Sequence, residues 1–194
     1  MADGIDARKP SNLSVRKALM PDIPPLVKLI NSFAARGIML PRTEFELAEN
    51  VRDFTVVADG DRLIACGALH FYTARAAEIR SLAVDSEYQK HGVGAVLMQA
   101  LEKEARTFDL EGLFAFTYVP GFFRKQGYRE VDRAELPLKA WKDCLRCPKF
   151  QACDEIAMWK ALREGGAGFA GQVLAAGNPS SRDPGLVPLL PLVR

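Results

Sequence analysis

Between Ala77 and Phe108 the chain passes from strand to polar loop to helix, and the junction is built on two glycines. Ala77-Glu-Ile-Arg-Ser-Leu-Ala-Val84 reads as a strand. From Gly92 onward, Val93, Val96, Leu97, Ala100, Leu101, Ala105 and Phe108 recur at helical spacing. Gly92-Val93-Gly94 opens that helix. Glycines here let backbone N–H groups approach an anion with no Cβ in the way. The first helical turn also has unpaired N–H groups and the positive end of the helix dipole. Together they form a cradle for a pyrophosphate. Gln89, Lys90 and His91 add donors or charge at its rim. A bare Gly-x-Gly is also compatible with a plain helix cap, and taken alone the two readings are about even.

The flanking segments show what kind of fold carries this junction. Residues 12–18 alternate as a strand. Asp22 is placed to cap a helix through Phe33, with Pro24 and Pro25 in its first turn. Thr43 and Glu46 form a capping-box pattern before a short helix. Residues 53–58 and 62–71 are two strands joined by the Asp59-Gly60-Asp61 turn. Residues 112–118 form a fifth strand. Residues 121–126 form a short helix stopped by Gly127. Later strands fall at 128–131 and 156–160. This order predicts an α/β (α+β) fold, a mixed sheet with helices packed against it.

Length and charge narrow the class further. The 194 residues hold 26 Lys+Arg and 24 Asp+Glu, a net charge of +2, with 48% hydrophobic residues. This suits one globular domain, and gives no electrostatic reason to expect nucleic acid or an acidic membrane as partner. No apolar run is long enough to span a bilayer. The first residues lack the apolar core of a secretory signal, so the expected compartment is the cytoplasm. Residues 1–12 read as a loose leader and 13–162 as the folded body. Residues 163–194 hold ten of the 27 Gly+Pro residues and read as a mostly flexible tail.

Two motifs carry a resemblance. The Gln89-x-x-Gly92-x-Gly94 spacing after a Leu-Ala-Val strand resembles the acetyl-CoA signature of the GNAT acetyltransferase superfamily. Gly121-Phe-Phe-Arg-Lys-Gln-Gly-Tyr128 resembles that family's aromatic turn. The resemblance implies a mostly antiparallel sheet of six to seven strands, splayed between the fourth and the fifth. It implies acetyl-CoA in the opening, its pantetheine arm bonded to backbone near Leu82 and Val84. Val93 and Phe123 join the cofactor-binding set.

Gly37-Ile-Met-Leu-Pro-Arg-Thr43, Glu78-Ile-Arg-Ser-Leu-Ala-Val84 and Glu130-Val-Asp-Arg-Ala-Glu-Leu-Pro137 are similar to the acetyltransferase domain of bacterial N-acetylglutamate synthases. That resemblance implies transfer of acetyl to the α-amino group of L-glutamate, the first step of arginine biosynthesis, by a homodimer. The runner-up is another small amine or amino acid as acceptor, and a non-catalytic acyl-CoA sensor is a third reading. The attacking amine must be neutral, so a base is needed. Glu78 matches the family's acidic position, and by period two it shares a face with Arg80, Leu82 and Val84. A dicarboxylate needs cations. Arg42 matches the family's glutamate-gripping residue, and Arg80 is a second candidate. Thr117 matches a hydroxyl position that contacts substrate. Phe123 occupies the place where many superfamily members carry a proton-donating Tyr, and Tyr118 could substitute.

One segment departs from the pattern. Cys144, Cys147 and Cys153 lie within ten residues. A structural zinc, a redox-labile disulfide and free thiols compete as readings. The synthases carry a glutamate-gripping Arg near here, and Arg146 or Lys149 must stand in for it.

Overall fold

The computed structural model describes residues 10–136, 147, 149 and 152–163. Cys144, Arg146 and almost all of the expected leader and tail lie outside these residues. Seven strands form one sheet: β1 Leu13–Lys17, β2 Phe54–Asp59, β3 Arg62–Phe71, β4 Ala76–Val84, β5 Gly112–Thr117, β6 Arg129–Glu130 and β7 Ile156–Ala161. Their order across the sheet is β1-β2-β3-β4-β5-β7-β6. Neighbours run antiparallel except β4 and β5, which are parallel. Four α-helices flank the sheet among the described residues: α1 Ile23–Ala34, α2 Glu44–Glu49, α3 Val93–Thr107 and α4 Pro120–Lys125.

Local chemistry accounts for the element ends. Thr43 Oγ1 accepts the Glu46 N–H at 3.2 Å, while the Glu46 carboxylate accepts the Thr43 N–H at 2.9 Å. The capping box therefore forms as expected. Asp22 behaves differently. It makes no side-chain cap to α1. Its carboxylate turns back to accept the Leu19 N–H at 2.7 Å and both terminal nitrogens of Arg16. The nearby guanidinium outcompetes the helix amides as a donor.

Helices pack on both faces of the sheet. On one face α3 buries Val93, Leu97, Met98, Leu101 and Ala105 against Ile64, Leu69 and Leu113. On the other, α1 and α2 bury Leu26, Ile30 and Leu47 against Val56, Cys66 and Ala68. Each such side chain contributes about 1.5–3 kcal/mol of burial free energy.

Two irregularities of the sheet shape everything downstream. The first is a fork. The β4–β5 ladder has only three pairs, ending at Glu78 opposite Phe114. Beyond Glu78 the two strands are no longer paired, so the sheet opens between residues 79–84 and 115–117. The second is a bulge. Ala68 pairs with Arg80 and Cys66 with Ala83, which leaves Ser81 and Leu82 opposite Gly67 alone. Ser81 sits at φ 52° to accommodate the extra residue. The bulge breaks the period of two. Ala83 packs on the α1 side, while Leu82 and Val84 pack on the α3 side with Ala77 and Ile79. Glu78 and Arg80 thus do not share a face with Leu82 and Val84, contrary to the expectation from alternation.

Candidate active site

A cleft of about 1340 Å³ opens at the fork and runs to the start of α3. Its walls bring together most of the residues singled out in the sequence: Arg42, Glu78, Arg80, Leu82, Val84, Gln89, Lys90, Gly92, Val93, Gly94, Thr117, Phe123 and Lys149. His91 is exposed beside the same loop.

The glycine junction is shaped as a cradle. Gly92 caps α3 at φ 80°, and an added Cβ there would meet nothing within 4 Å. The helix ladder begins with the N–H groups of Ala95 and Val96, both donating to the Gly92 carbonyl. The amides of Val93 and Gly94 lie ahead of it, where a helix offers N–H groups to an anion. The Gln89 side-chain amide donates to the Val84 carbonyl at 3.0 Å, which braces the loop to the strand. In the aromatic turn both Phe122 and Phe123 reach the cleft wall. Phe123 is a core ring, set edge-on to Tyr128 at 5.3 Å. Phe122 is the ring nearest the cradle, and a Cβ on Gly94 would come within 3.1 Å of it.

At the fork, Glu78 is the dominant group. It is 1% exposed, stands opposite His70 on β3 and opposite Phe114 on β5. Arg80, one step along the same face, brings Nη2 to 4.0 Å from Asp53. Thr117 is buried at the end of β5, where its Oγ1 accepts the Val119 N–H at 3.0 Å. Its hydroxyl proton is left for an acceptor in the cleft.

Two further cations line the cleft from separate segments. Asn31 on α1 clamps the backbone of Arg42. Its side-chain oxygen accepts the Arg42 N–H and its amide donates to the Arg42 carbonyl, both at 2.9 Å. Lys149 donates to the Tyr118 hydroxyl at 3.1 Å and reaches Asp154 at 3.4 Å. Desolvation by burial holds the Tyr118 phenol above its ordinary value, although Lys149 pulls the other way.

Arg133 was not singled out by any motif. It lines the cleft, and Nη2 donates to the carbonyls of Cys153 at 3.2 Å and Glu155 at 2.8 Å. Its guanidinium lies 5.8 Å from the Phe116 ring. Only the packing of a 3₁₀ turn against the approach to β7 brings it there. The one available signal was its place three residues past Glu130 in the run that resembles the synthases.

Cys147 and Cys153 are unbridged thiols at the cleft wall. Among the described residues no group of three or more His, Cys, Asp or Glu side chains is disposed to hold a metal ion. The zinc reading therefore has no support there. Also among the described residues, no helix is long and apolar enough to cross a membrane.

Comparison with known proteins matches this geometry. Residues 26–128 match the acetyltransferase (GNAT) family. An uncharacterized N-acetyltransferase of Chlorobaculum tepidum is 40% identical over 148 residues, 76% of this chain and 96% of that protein. An amino-acid acetyltransferase of Mycobacterium tuberculosis is 30% identical over 135 residues, 68% of this chain and 77% of that one. Among solved structures, N-acetylglutamate synthase from Neisseria gonorrhoeae, complexed with coenzyme A and N-acetyl-glutamate, superposes with a TM-score of 0.71. It is 26% identical over 79% of this chain, which spans only 36% of that longer protein. The chain belongs to the GNAT acetyltransferase family. Its class is that of the acetyl-CoA-dependent amino-acid N-acetyltransferases.

Proposed function

We propose that this enzyme transfers acetyl from acetyl-CoA to the α-amino group of L-glutamate, as the first step of arginine biosynthesis. The observation that carries this reading is the arrangement of the cleft. A phosphate-type cradle lies at the start of α3, a buried carboxylate lies at the fork, and Arg42, Arg133 and Lys149 line the same cleft. The amides of Val93 and Gly94 would hold the pyrophosphate, with Lys90 and His91 at the rim. Leu82 and Val84 would flank the pantetheine arm. Acetyl-CoA supplies the activated thioester.

Glu78 would take a proton from the acceptor ammonium, directly or through a water, so that the nitrogen lone pair is free to attack. Arg42 and Arg133 would grip the two carboxylates by charge-assisted hydrogen bonds. Arg133 suits this task because its carbonyl contacts fix the guanidinium plane before substrate arrives. Lys149 and Arg80 are the further cations for this role, and Arg146 a third beyond the described residues. Thr117 or Tyr118, both in the cleft wall, would supply a hydroxyl to the reacting centre or the departing thiolate.

A screen of amino acids with acetyl-CoA, following thiol release, tests the reading. The expected outcome is glutamate turned over best. Negligible turnover of glutamate beside good turnover of a monocarboxylate amine would refute it. That result would favour the second reading, another small amine, which the apolar wall of Phe33, Ile38, Met39 and Leu40 could accommodate.

A further inference from the structure

Arg42 belongs to a run that is neither helix nor strand, so its place in the cleft needs another cause. Residues 37–42, between α1 and α2, all line the cleft. The run leaves α1 through Gly37, in the left-handed region at φ 70°. The amides of Arg36, Gly37 and Ile38 donate to the carbonyls of Phe33 and Ala34 at the end of that helix. Pro41 lies just ahead of Arg42. Its ring fixes φ and restricts Leu40 to extended backbone. Directly after Arg42, the Thr43–Glu46 box opens α2. The run is an arch whose near foot is the end of α1.

Its far foot is tied back to the same helix. Asn31, in the last turn of α1, stands eleven residues ahead of Arg42. Its Oδ1 accepts the Arg42 N–H and its Nδ2 donates to the Arg42 carbonyl, each at 2.9 Å. A primary amide offers an acceptor and a donor side by side, which this double contact requires. A residue has two soft backbone dihedrals, and holding its N–H and C=O together restrains both. The direction of the Arg42 Cα–Cβ bond is thereby set. These bonds engage the main chain and do not involve the guanidinium. α1 is itself fixed, since Leu26 and Ile30 are fully buried.

We propose that Asn31 is a positioning residue for the acceptor: it pins Arg42 in the cleft wall before the acceptor arrives. The inference rests on Arg42 being a residue that grips an acceptor carboxylate. Without the pin, Arg42 gains backbone freedom that acceptor binding must then remove, at a cost in affinity. Acetyl-CoA bears no such cost, because its cradle is built on the start of α3. No motif marks Asn31 in the sequence; only the fold of the arch brings it to Arg42.

The test uses the whole chain, with acetyl-CoA and L-glutamate or whichever amino acid the screen finds best. Asn31→Ala removes the pin. Losing two neutral hydrogen bonds should raise the acceptor KM on the order of 10-fold and leave the acetyl-CoA KM unchanged. Arg42→Ala keeps the main chain that Asn31 binds, so the pin survives in it. Adding Asn31→Ala to Arg42→Ala should therefore lower Tm as much as it does in the wild type, yet raise the acceptor KM no further. A merely structural role would not separate those two readouts. Asn31→Ser, whose hydroxyl cannot bridge both groups, should act in the same direction and decides if Asn31→Ala does not fold. A wild-type acceptor KM in these Asn31 variants, beside a raised one in Arg42→Ala, overturns the pin and leaves the grip. An equal rise with and without the Arg42 side chain, or a matching rise in the acetyl-CoA KM, also overturns it. A wild-type acceptor KM in Arg42→Ala removes the grip and the pin together.

Discussion

Gly92 offers the sharpest test of the cradle, because its cost can be separated from crowding. It sits at φ 80° and ψ −3°, and a Cβ would meet nothing within 4 Å. A substitution there therefore acts through the backbone alone. Holding an L-residue in the left-handed region costs about 1–2 kcal/mol. Restricting the unfolded chain returns about 0.4–1 kcal/mol for alanine. The net cost for Gly92→Ala is thus on the order of 0.5–1 kcal/mol. Gly92→Val costs more, since β-branched residues tolerate positive φ poorly. The strain can relax only by turning the backbone, which re-aims the amides of Val93 and Gly94. A hydrogen bond to a charged group is worth about 1.5–3 kcal/mol, so losing one weakens binding by roughly 10- to 100-fold.

Isothermal titration with CoA, beside thermal melts of the same variants, reads both effects. Gly60→Ala is the control. Gly60 has φ 60° and open space around it, and lies in the β2–β3 turn away from the cleft. It should lose a similar few degrees of Tm, at about 2–4 °C per kcal/mol, with CoA affinity unchanged. If Gly92→Val loses stability like the control yet binds CoA like the wild type, the amides ahead of α3 do not hold the phosphates.

Three further outcomes follow from the cleft and the core. Arg42→Ala and Arg133→Ala should each raise the acceptor KM by about 10-fold or more, and leave the acetyl-CoA KM in place; steady-state kinetics decide this. Asp22→Ala should cost about 1–2 kcal/mol near neutral pH, discounted for the exposed Arg16. Hydrogen bonds from Arg16 and then from the Leu19 N–H hold the Asp22 carboxyl below its usual range. Its contribution is therefore full above the ordinary carboxylate value of about 4 and is lost as pH falls through the lowered one. Denaturant melts of wild type and variant should converge as the pH is lowered. Burial pushes the Cys66 thiol up to about 12. At pH 8 a thiol reagent should label Cys147 and Cys153 and spare Cys66 until the protein unfolds, as peptide mapping would show.

The local signals were strong wherever one short segment decides its own structure. The Thr43–Glu46 box, the Asp59–Asp61 turn, the 3.6-residue rhythm of α3 and the glycines ahead of it are each set within a few residues. All appear where the sequence places them. Arg42, Glu78 and the cradle were legible as candidate site residues through motif resemblance, and the fold brings all three to one cleft. Lys149 joins them, though only through its contacts with Tyr118 and Asp154.

What the segments could not decide was how they face one another. Alternation along 78–84 placed Leu82 and Val84 with Glu78. One extra residue at Ser81, tolerated because β3 supplies a side-chain-free Gly67 opposite, sends them to the other face. Asp22 had the right place to cap α1, but a guanidinium six residues back was the stronger donor. Arg133 enters the cleft, and His70 stands opposite Glu78 and beside Asp53, because β3, β4 and β7 bring together residues distant in the chain. By itself the sequence determined the order of elements and the glycine turn ahead of α3, since these depend on spacing and local backbone chemistry. The fork was expected only through motif resemblance, and the tertiary structure alone decided the bulge and the company Glu78 keeps, since these depend on register between strands, which no single segment encodes.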